Sequence, residues 1–199
     1  MIDLHSHILP GVDDGPTTIE ESLEIARRAA TAGVRMIAAT PHVRDDYPTS
    51  AETMERLVAE VRAAIQQAGI PVDVRPGGEI AIDWLDRLSD EDIGRFGLGG
   101  SPRYLLVEFP YSGWPLSLHE WVFRLVTREI TPVIAHPERN ADVQRNPEEL
   151  RPLVDAGALV QITAASIDGR IGRSSRAAAA APPGCAGRPR SAPDARSPG

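Results

Sequence analysis

Histidines and glutamates recur along the chain where short apolar segments end. Imidazole and carboxylate groups together suit zinc, manganese and iron in proteins. One such residue is usually a surface or hydrogen-bonded residue, but a ligand-type residue after each of five successive segments would rarely arise by chance. The series therefore predicts a metal centre. Its members are His5, His7, His42, Glu79, Glu108 and His136.

Two histidines separated by one residue, His5 and His7, close the first apolar segment. Because side chains alternate along a strand, both point to the same side and can bind one ion. Asp13 and Asp14 follow between glycines, where they could also simply form a turn. His119 lies inside a helical pattern and is interpreted as a surface residue.

The elements that must position these residues alternate between strands and helices. This alternation predicts a parallel α/β fold. No Gly-x-Gly-x-x-Gly or Walker loop follows the first strand, which favours a barrel, whose strand ends converge on one rim. The expected strands are residues 2–5, 34–40, 72–75, 104–109, 132–135 and 158–163; the expected helices begin at capping boxes 18–21 and 49–52 and also cover 116–130 and 147–156.

The composition excludes several classes of protein. A net charge of −7 over 199 residues argues against nucleic acid as a partner. No segment approaches the roughly 18 apolar residues of a membrane helix, and the N-terminus is unlike a signal peptide. We therefore expect a cytoplasmic protein without membrane insertion. The single cysteine, Cys185, excludes an internal disulfide, a cysteine zinc site and the Cys-x5-Arg mechanism of ordinary tyrosine phosphatases.

The composition changes near Gly172. Residues 173–199 contain no Val, Ile, Leu, Met, Phe, Trp or Tyr and are rich in Ala, Pro, Arg and Gly. Such a segment buries too little apolar surface to offset the entropy of ordering. The sequence thus predicts one domain over residues 1–172 and a disordered tail over 173–199. The abrupt change also suggests a truncated or frame-shifted reading of a GC-rich gene.

Five motifs resemble a known family. In order, they are residues 1–15 (MIDLHSHILPGVDDG), 39–42 (ATPH), 77–79 (GGE), 107–110 (VEFP) and 134–140 (IAHPERN). Up to about Gly172 the chain resembles the bacterial tyrosine-protein phosphatases of the polymerase-and-histidinol-phosphatase (PHP) type that serve capsule and exopolysaccharide synthesis, the CpsB class. The resemblance implies an α/β fold, a distorted (β/α)7 PHP barrel, with up to three divalent ions, manganese being favoured over zinc or iron. It also implies a partner, the phosphotyrosine-rich C-terminal tail of a tyrosine autokinase.

The resemblance also implies a role for each site residue. One ion would be bound by His5, His7 and Glu79, a second by Glu79, Glu108 and His136, a third by Asp14 and His42, and the phosphate by Arg139.

The chain departs from the family pattern in one major respect. No Asp-x-His follows His136, so the expected barrel lacks its last strand and two ligands, and its activity would be impaired. Val43 and Ala165 are smaller departures, at positions where the family pattern has histidine and glycine.

Two alternatives to a tyrosine phosphatase stay open. One is another PHP phosphatase of the histidinol-phosphate type, which residues 9–15 and 136–140 disfavour. The other is an inactive fragment or a module that binds phosphotyrosine without turnover, which the missing Asp-x-His supports.

Overall fold

The computed structural model describes residues 1–180 as an α/β protein. The strands are β1 Ile2–Ser6, β2 Met36–Ala39, β3 His42–Arg44, β4 Tyr47–Pro48, β5 Asp73–Arg75, β6 Glu79–Ala81, β7 Tyr104–Glu108, β8 Thr131–Ala135 and β9 Leu159–Gln161. The α-helices are α1 Ile19–Thr31, α2 Ala51–Gln67, α3 Asp90–Arg95, α4 Leu118–Thr127, α5 Ala141–Arg145, α6 Arg151–Asp155, α7 Ala164–Ile167 and α8 Arg173–Ala180. Short 3-10 turns lie at Ile82–Arg87, Leu98–Gly100, Pro137–Arg139 and Pro147–Leu150.

The strands form two sheets, ordered β1-β2-β5 and β4-β3-β6-β7-β8-β9. Every pairing is parallel except that of β3 with β4. The strands predicted from the sequence are all present, as is their parallel arrangement. β1 lies at one end of the first sheet and β9 at one end of the second. The ring of His5 in β1 contacts the side chain of Gln161 in β9, with Nδ1 and Oε1 2.9 Å apart.

The chain passes directly from the first sheet to the second, between β2 and β3 and again between β5 and β6. The second passage requires glycine, because a Cβ at Gly78 would lie 2.6 Å from Cδ1 of Phe96. The passages make His42 and Glu79 the first residues of β3 and β6 and direct register partners. Both residues follow the end of a predicted strand, as expected, and each also begins a further short strand that the sequence did not indicate.

Alternate residues of the strands face two different cores. Ile37, Val107 and Ile134 belong to the large core that the strands share with the helices. Their chain neighbours Ala38 and Leu106 belong to a smaller cluster with Leu98, Val133 and Ala135. Because successive side chains of a strand point to opposite faces, the smaller cluster lies on the face away from the helices.

Side-chain caps begin the longer helices. Thr18 accepts a hydrogen bond from the backbone N–H of Glu21 at the start of α1, as its capping box predicts. Ser50 caps α2 through the N–H of Thr53. The sequence had placed that cap one residue earlier, at Thr49. Such caps contribute about 1 kcal/mol each.

Residues 173–180 are helical. The predicted disorder from residue 173 is wrong for these residues, which form α8 and pack on α5 and α7. Ala178 and Ala179 are buried, and Ala178 joins the large core. Alanine has the highest helix propensity, and its small side chain allows close packing without large apolar groups. The rest of the predicted tail, 181–199, lies outside the described residues.

Within the described part of the chain, every helix is too short or too polar to span a bilayer.

Candidate metal centre

A fully buried carboxylate, that of Glu79, lies at the centre of four imidazole rings. Its Oε1 is 2.7 Å from Nε2 of His136. Its Oε2 is 3.1 Å from Nε2 of His5, 3.1 Å from Nδ1 of His42 and 3.4 Å from Nε2 of His7. Residues far apart in sequence thus bring five ligand-type groups to one point. These are five of the residues predicted as ligands.

His7 and Glu79 have shifted pKa values that favour their charged forms. Burial alone would raise the pKa of Glu79, but its contacts with His136, His5 and His7 outweigh burial and lower the pKa. Burial alone would lower the pKa of His7, but its contacts with Asp13 and Glu79 raise the pKa to about 10. The surroundings of Glu79 and His7 therefore favour a negative carboxylate with a positive charge beside it.

The donor set fits a cation. Among residues 1–180, Oε2 of Glu79 and Nδ1 of His42 are buried and have no hydrogen-bond partner of acceptable geometry. Ligand atoms bound about 2 Å from one ion lie about 3–4 Å apart, which matches the spacing around Glu79. Three groups have donor atoms within 4.8 Å of one another: His5, Glu79 and His136; His7, His42 and Glu79; His7, Asp13 and Asp14.

Glu108, at the end of β7, borders this cluster. Its Oε2 is 3.4 Å from Nδ1 of His42, and its Oε1 is 3.8 Å from Nε2 of His136. Arg44 on β3 donates to the same carboxylate, with Nη1 3.3 Å from Oε2. The Nε of Arg44 lies 2.8 Å from Asp46. Glu108 therefore faces the histidines with its charge partly balanced by an arginine.

The two adjacent aspartates differ in position. Asp14, the predicted ligand, is 60% exposed, and its Oδ1 is 3.8 Å from both His7 and His42. The side chain of Asp13 is only 1% exposed, and its Oδ2 is 2.7 Å from Nδ1 of His7 and accepts from the backbone N–H of His42. Its Oδ1 accepts from the N–H of Gly15. Asp13 therefore orients His7, a role that the sequence did not separate from a simple turn.

A second orienting group is Gln161 on β9, whose Oε1 lies 2.9 Å from Nδ1 of His5. This contact spans 156 residues, and nothing in the sequence around Gln161 signals it. His119 is exposed and packs near Trp114, away from the cluster, as expected of a surface histidine.

The cluster opens into a cavity of about 470 Å³. Arg139 and Tyr111 line it, together with the loop that follows β9. The Nε of Arg139 is buried without a hydrogen-bond partner within the described range. The neighbouring Glu138 is fully buried, and its Oε1 accepts from the N–H of Thr163 and from the hydroxyl of Ser166. Hydrogen bonds of Glu138 thus connect the turn that carries Arg139 to the segment that follows β9.

The family model described as capsular polysaccharide synthesis, CpsB/CapC, matches residues 1–181 of the chain. The chain belongs to the CpsB/CapC family. The match continues past Gly172, where the sequence had placed the end of the domain.

Named relatives agree with this membership. The tyrosine-protein phosphatase YwqE of Bacillus subtilis is 36% identical over 180 residues, which are 89% of this chain and 70% of YwqE. The tyrosine-protein phosphatase CpsB of Streptococcus pneumoniae is 33% identical over 165 residues, which are 81% of this chain and 67% of CpsB.

A solved structure shares the fold. It comes from the crystal structures of YwqE and CpsB, described as unique metal-dependent tyrosine phosphatases. Its TM-score is 0.81 at 35% sequence identity, over 89% of this chain and 72% of that chain. This CpsB/CapC chain therefore shares its fold with that structure. In this chain the fold places four histidines around Glu79.

Proposed function

We propose that this CpsB/CapC chain is a metal-dependent protein-tyrosine phosphatase of capsule or exopolysaccharide synthesis. The observation that carries the proposal is the convergence of four histidines on the buried carboxylate of Glu79. Burying ionisable groups costs free energy unless they are paired or bind a metal ion. A bound cation would remove this cost for the cluster. The named activities of YwqE and CpsB support the same reaction.

The proposed ligands are those predicted from the sequence: His5, His7, Asp14, His42, Glu79, Glu108 and His136. Asp13 and Gln161 would hold His7 and His5 in the orientations that ligation needs, since a side-chain oxygen of each accepts a hydrogen bond from Nδ1–H of its histidine. A bound divalent cation would neutralise phosphate oxygens and make hydroxide available near neutral pH. Manganese is the expected ion, up to three per chain, with zinc or iron as alternatives.

Arg139 would bind the phosphate. Its side chain lines the cavity beside the histidines, and the buried Nε has no partner among the described residues. A guanidinium binds phosphate oxygens through charge-assisted hydrogen bonds, which are stronger than neutral ones. Arg139 would therefore hold the phosphate in place while the phenolate departs.

The proposed substrate is a phosphorylated tyrosine cluster on the C-terminal tail of a tyrosine autokinase. The cytoplasmic location expected from the sequence stays a prediction. We also propose that the two sheets belong to a distorted (β/α)7 barrel that lacks its last strand within the described residues. The contact of β1 with β9 through His5 and Gln161 supports this arrangement, as does the smaller apolar cluster on the face of the strands away from the helices.

The test is a hydrolysis assay on the whole chain loaded with manganese. Phosphate release is measured from a phosphotyrosine peptide, from the same peptide with phosphoserine, and from histidinol phosphate. We expect release from the phosphotyrosine peptide that chelation abolishes and manganese restores. Faster turnover of histidinol phosphate would favour the other PHP phosphatase type. Tight peptide binding without any turnover would favour a binding module.

A further inference from the structure

We propose that Tyr111 is a specificity-determining residue that contacts the aromatic ring of the phosphorylated tyrosine. The inference rests on the proposed function and names what selects an aryl phosphate there. Among the described residues lining the cavity, Tyr111 is the one that carries a benzene ring. The ring would thus form a wall for the flat part of the substrate.

Tyr111 lies beside the proposed reaction centre and has room for a partner. Its ring centroid is 6.0 Å from that of His136, at an interplanar angle of 40°. The residue is 51% exposed, although it lines the same cavity as the buried Glu79 and His136. An exposed aromatic residue at the edge of a concave site provides apolar surface that a ligand can cover.

The other nearby aromatic rings are already engaged. Tyr47 stacks on His42 at 5.7 Å and 13°, and the guanidinium of Arg44 lies 5.3 Å from its centroid. Trp114 packs edge-on against Phe109 at 5.6 Å. These rings serve the structure around the site. Tyr111 differs from them because it lines the cavity from a loop, where it also borders the neighbouring cavity beside Arg44.

The loop that carries Tyr111 is held in place by a buried side chain. Asn140, which is 1% exposed, donates from Nδ2 to the carbonyl oxygens of Pro110 and Gly113, at 2.7 and 3.1 Å. The backbone N–H of Ala141 donates to the carbonyl oxygen of Tyr111 at 2.8 Å. Three hydrogen bonds thus fix the backbone on both sides of Tyr111. A ring carried on a fixed backbone costs less entropy on binding than one on a free loop.

The chemistry of the substrate matches this position. In phosphotyrosine the ring is separated from phosphorus by one oxygen, so a phosphate held at Arg139 and the histidines places the ring at the cavity wall. Phosphoserine has no group there. An aromatic pair contributes an amount that corresponds to roughly 2- to 10-fold in affinity.

Binding of two non-hydrolysable inhibitors isolates the ring contact. Benzylphosphonate carries a ring and methylphosphonate does not, while both present the same phosphonate. Inhibition constants are measured on the manganese-loaded chain for the parent, Tyr111→Leu, Tyr111→Phe and the control Tyr104→Leu. Tyr104 is similarly exposed but lies at the opposite end of β7 from Glu108.

We expect Tyr111→Leu to raise the inhibition constant of benzylphosphonate roughly 2- to 10-fold, while that of methylphosphonate changes less than about twofold. Tyr111→Phe should keep the preference for the ring, and so should the control. Equal weakening of both inhibitors in Tyr111→Leu, or no change in their ratio, would overturn the proposal. A loss in Tyr111→Phe as large as in Tyr111→Leu would overturn it too, because the hydroxyl would then be responsible.

The outcome also separates this inference from the proposed function. A parent chain that hydrolyses no phosphotyrosine peptide and binds neither phosphonate would refute the phosphatase itself. A different result would refute only the role of Tyr111. In that result the parent hydrolyses the peptide and binds both phosphonates, while Tyr111→Leu leaves the ratio of the two inhibition constants unchanged.

Discussion

Replacing Glu79 with glutamine should remove most of the metal affinity while leaving the fold in place. Glu79 is fully buried and lies within 3.4 Å of all four histidines of the cluster. Glutamine keeps the volume and one acceptor oxygen but loses the negative charge. Breaking a buried charge pair by removing one partner costs about 3–5 kcal/mol. At 1.4 kcal/mol per factor of ten, this corresponds to manganese binding that is roughly 100- to 1,000-fold weaker or more.

The stability of the metal-free protein should change much less than the metal affinity on replacing Glu79 with glutamine. The Oε1 of a glutamine can still accept from His136, which lies 2.7 Å away, so one hydrogen bond of the carboxylate is kept. We expect the free energy of unfolding of the metal-free variant to fall by about 1 kcal/mol, the value of a typical hydrogen bond. The stabilisation that added manganese gives should nearly vanish, because stabilisation by a ligand follows its affinity.

Two measurements check this prediction. Calorimetric titration gives the dissociation constant of manganese, and thermal unfolding with and without manganese gives the stabilisation. The matched control is Glu60→Gln, since Glu60 is half exposed and pairs with Arg56 on α2. A Glu79→Gln variant that binds manganese within twofold of the parent would refute Glu79 as the central ligand.

Three further predictions follow from the same geometry. His136→Ala should abolish phosphatase activity, whereas His119→Ala, at an exposed position, should keep it; equal activities would exclude His136 as a ligand. Arg139→Met should raise the KM for a phosphotyrosine peptide roughly 10- to 100-fold with manganese binding unchanged, because charged hydrogen bonds contribute about 1.5–3 kcal/mol; an unchanged KM would count against phosphate binding. Ala178→Glu should destabilise the fold by about 3 kcal/mol or more in urea unfolding, because it buries an unpaired charge, while the exposed Ala177→Glu should change little; similar values would show that α8 is not packed.

The sequence predicted the regular elements well because local signals determine their ends. The caps and the glycines that follow helices mark the boundaries of α1 and α2. The sequence failed at β3 and β6, where the chain changes sheets within two or three residues. His42 and Glu79 each start a strand of three residues there. Pairing between two short strands distant in sequence is a tertiary property, which local patterns do not contain.

The candidate ligands could be identified from residue type and position, but their supporting contacts could not. Asp13 and Asp14 are adjacent and identical in type, and only the folded loop shows which one turns inward to His7. The contact of His5 with Gln161 depends on the closeness of β1 and β9 in space. Sequence reasoning finds the groups that suit a metal, whereas the groups that orient them emerge from packing.

The helix that composition had excluded from the domain also supports the site. The side chain of Gln144 donates from Nε2 to the carbonyl oxygen of Glu138 at 2.9 Å and to the hydroxyl of Ser175 on α8 at 3.0 Å. Glu138 precedes Arg139, so α8 is joined through one side chain to the turn that carries the proposed phosphate-binding residue. An alanine-rich segment without large apolar residues can therefore matter to a site, because close packing and a single hydrogen bond are enough to connect it. Composition alone measures how much apolar surface a segment can bury, and it is silent about such connections.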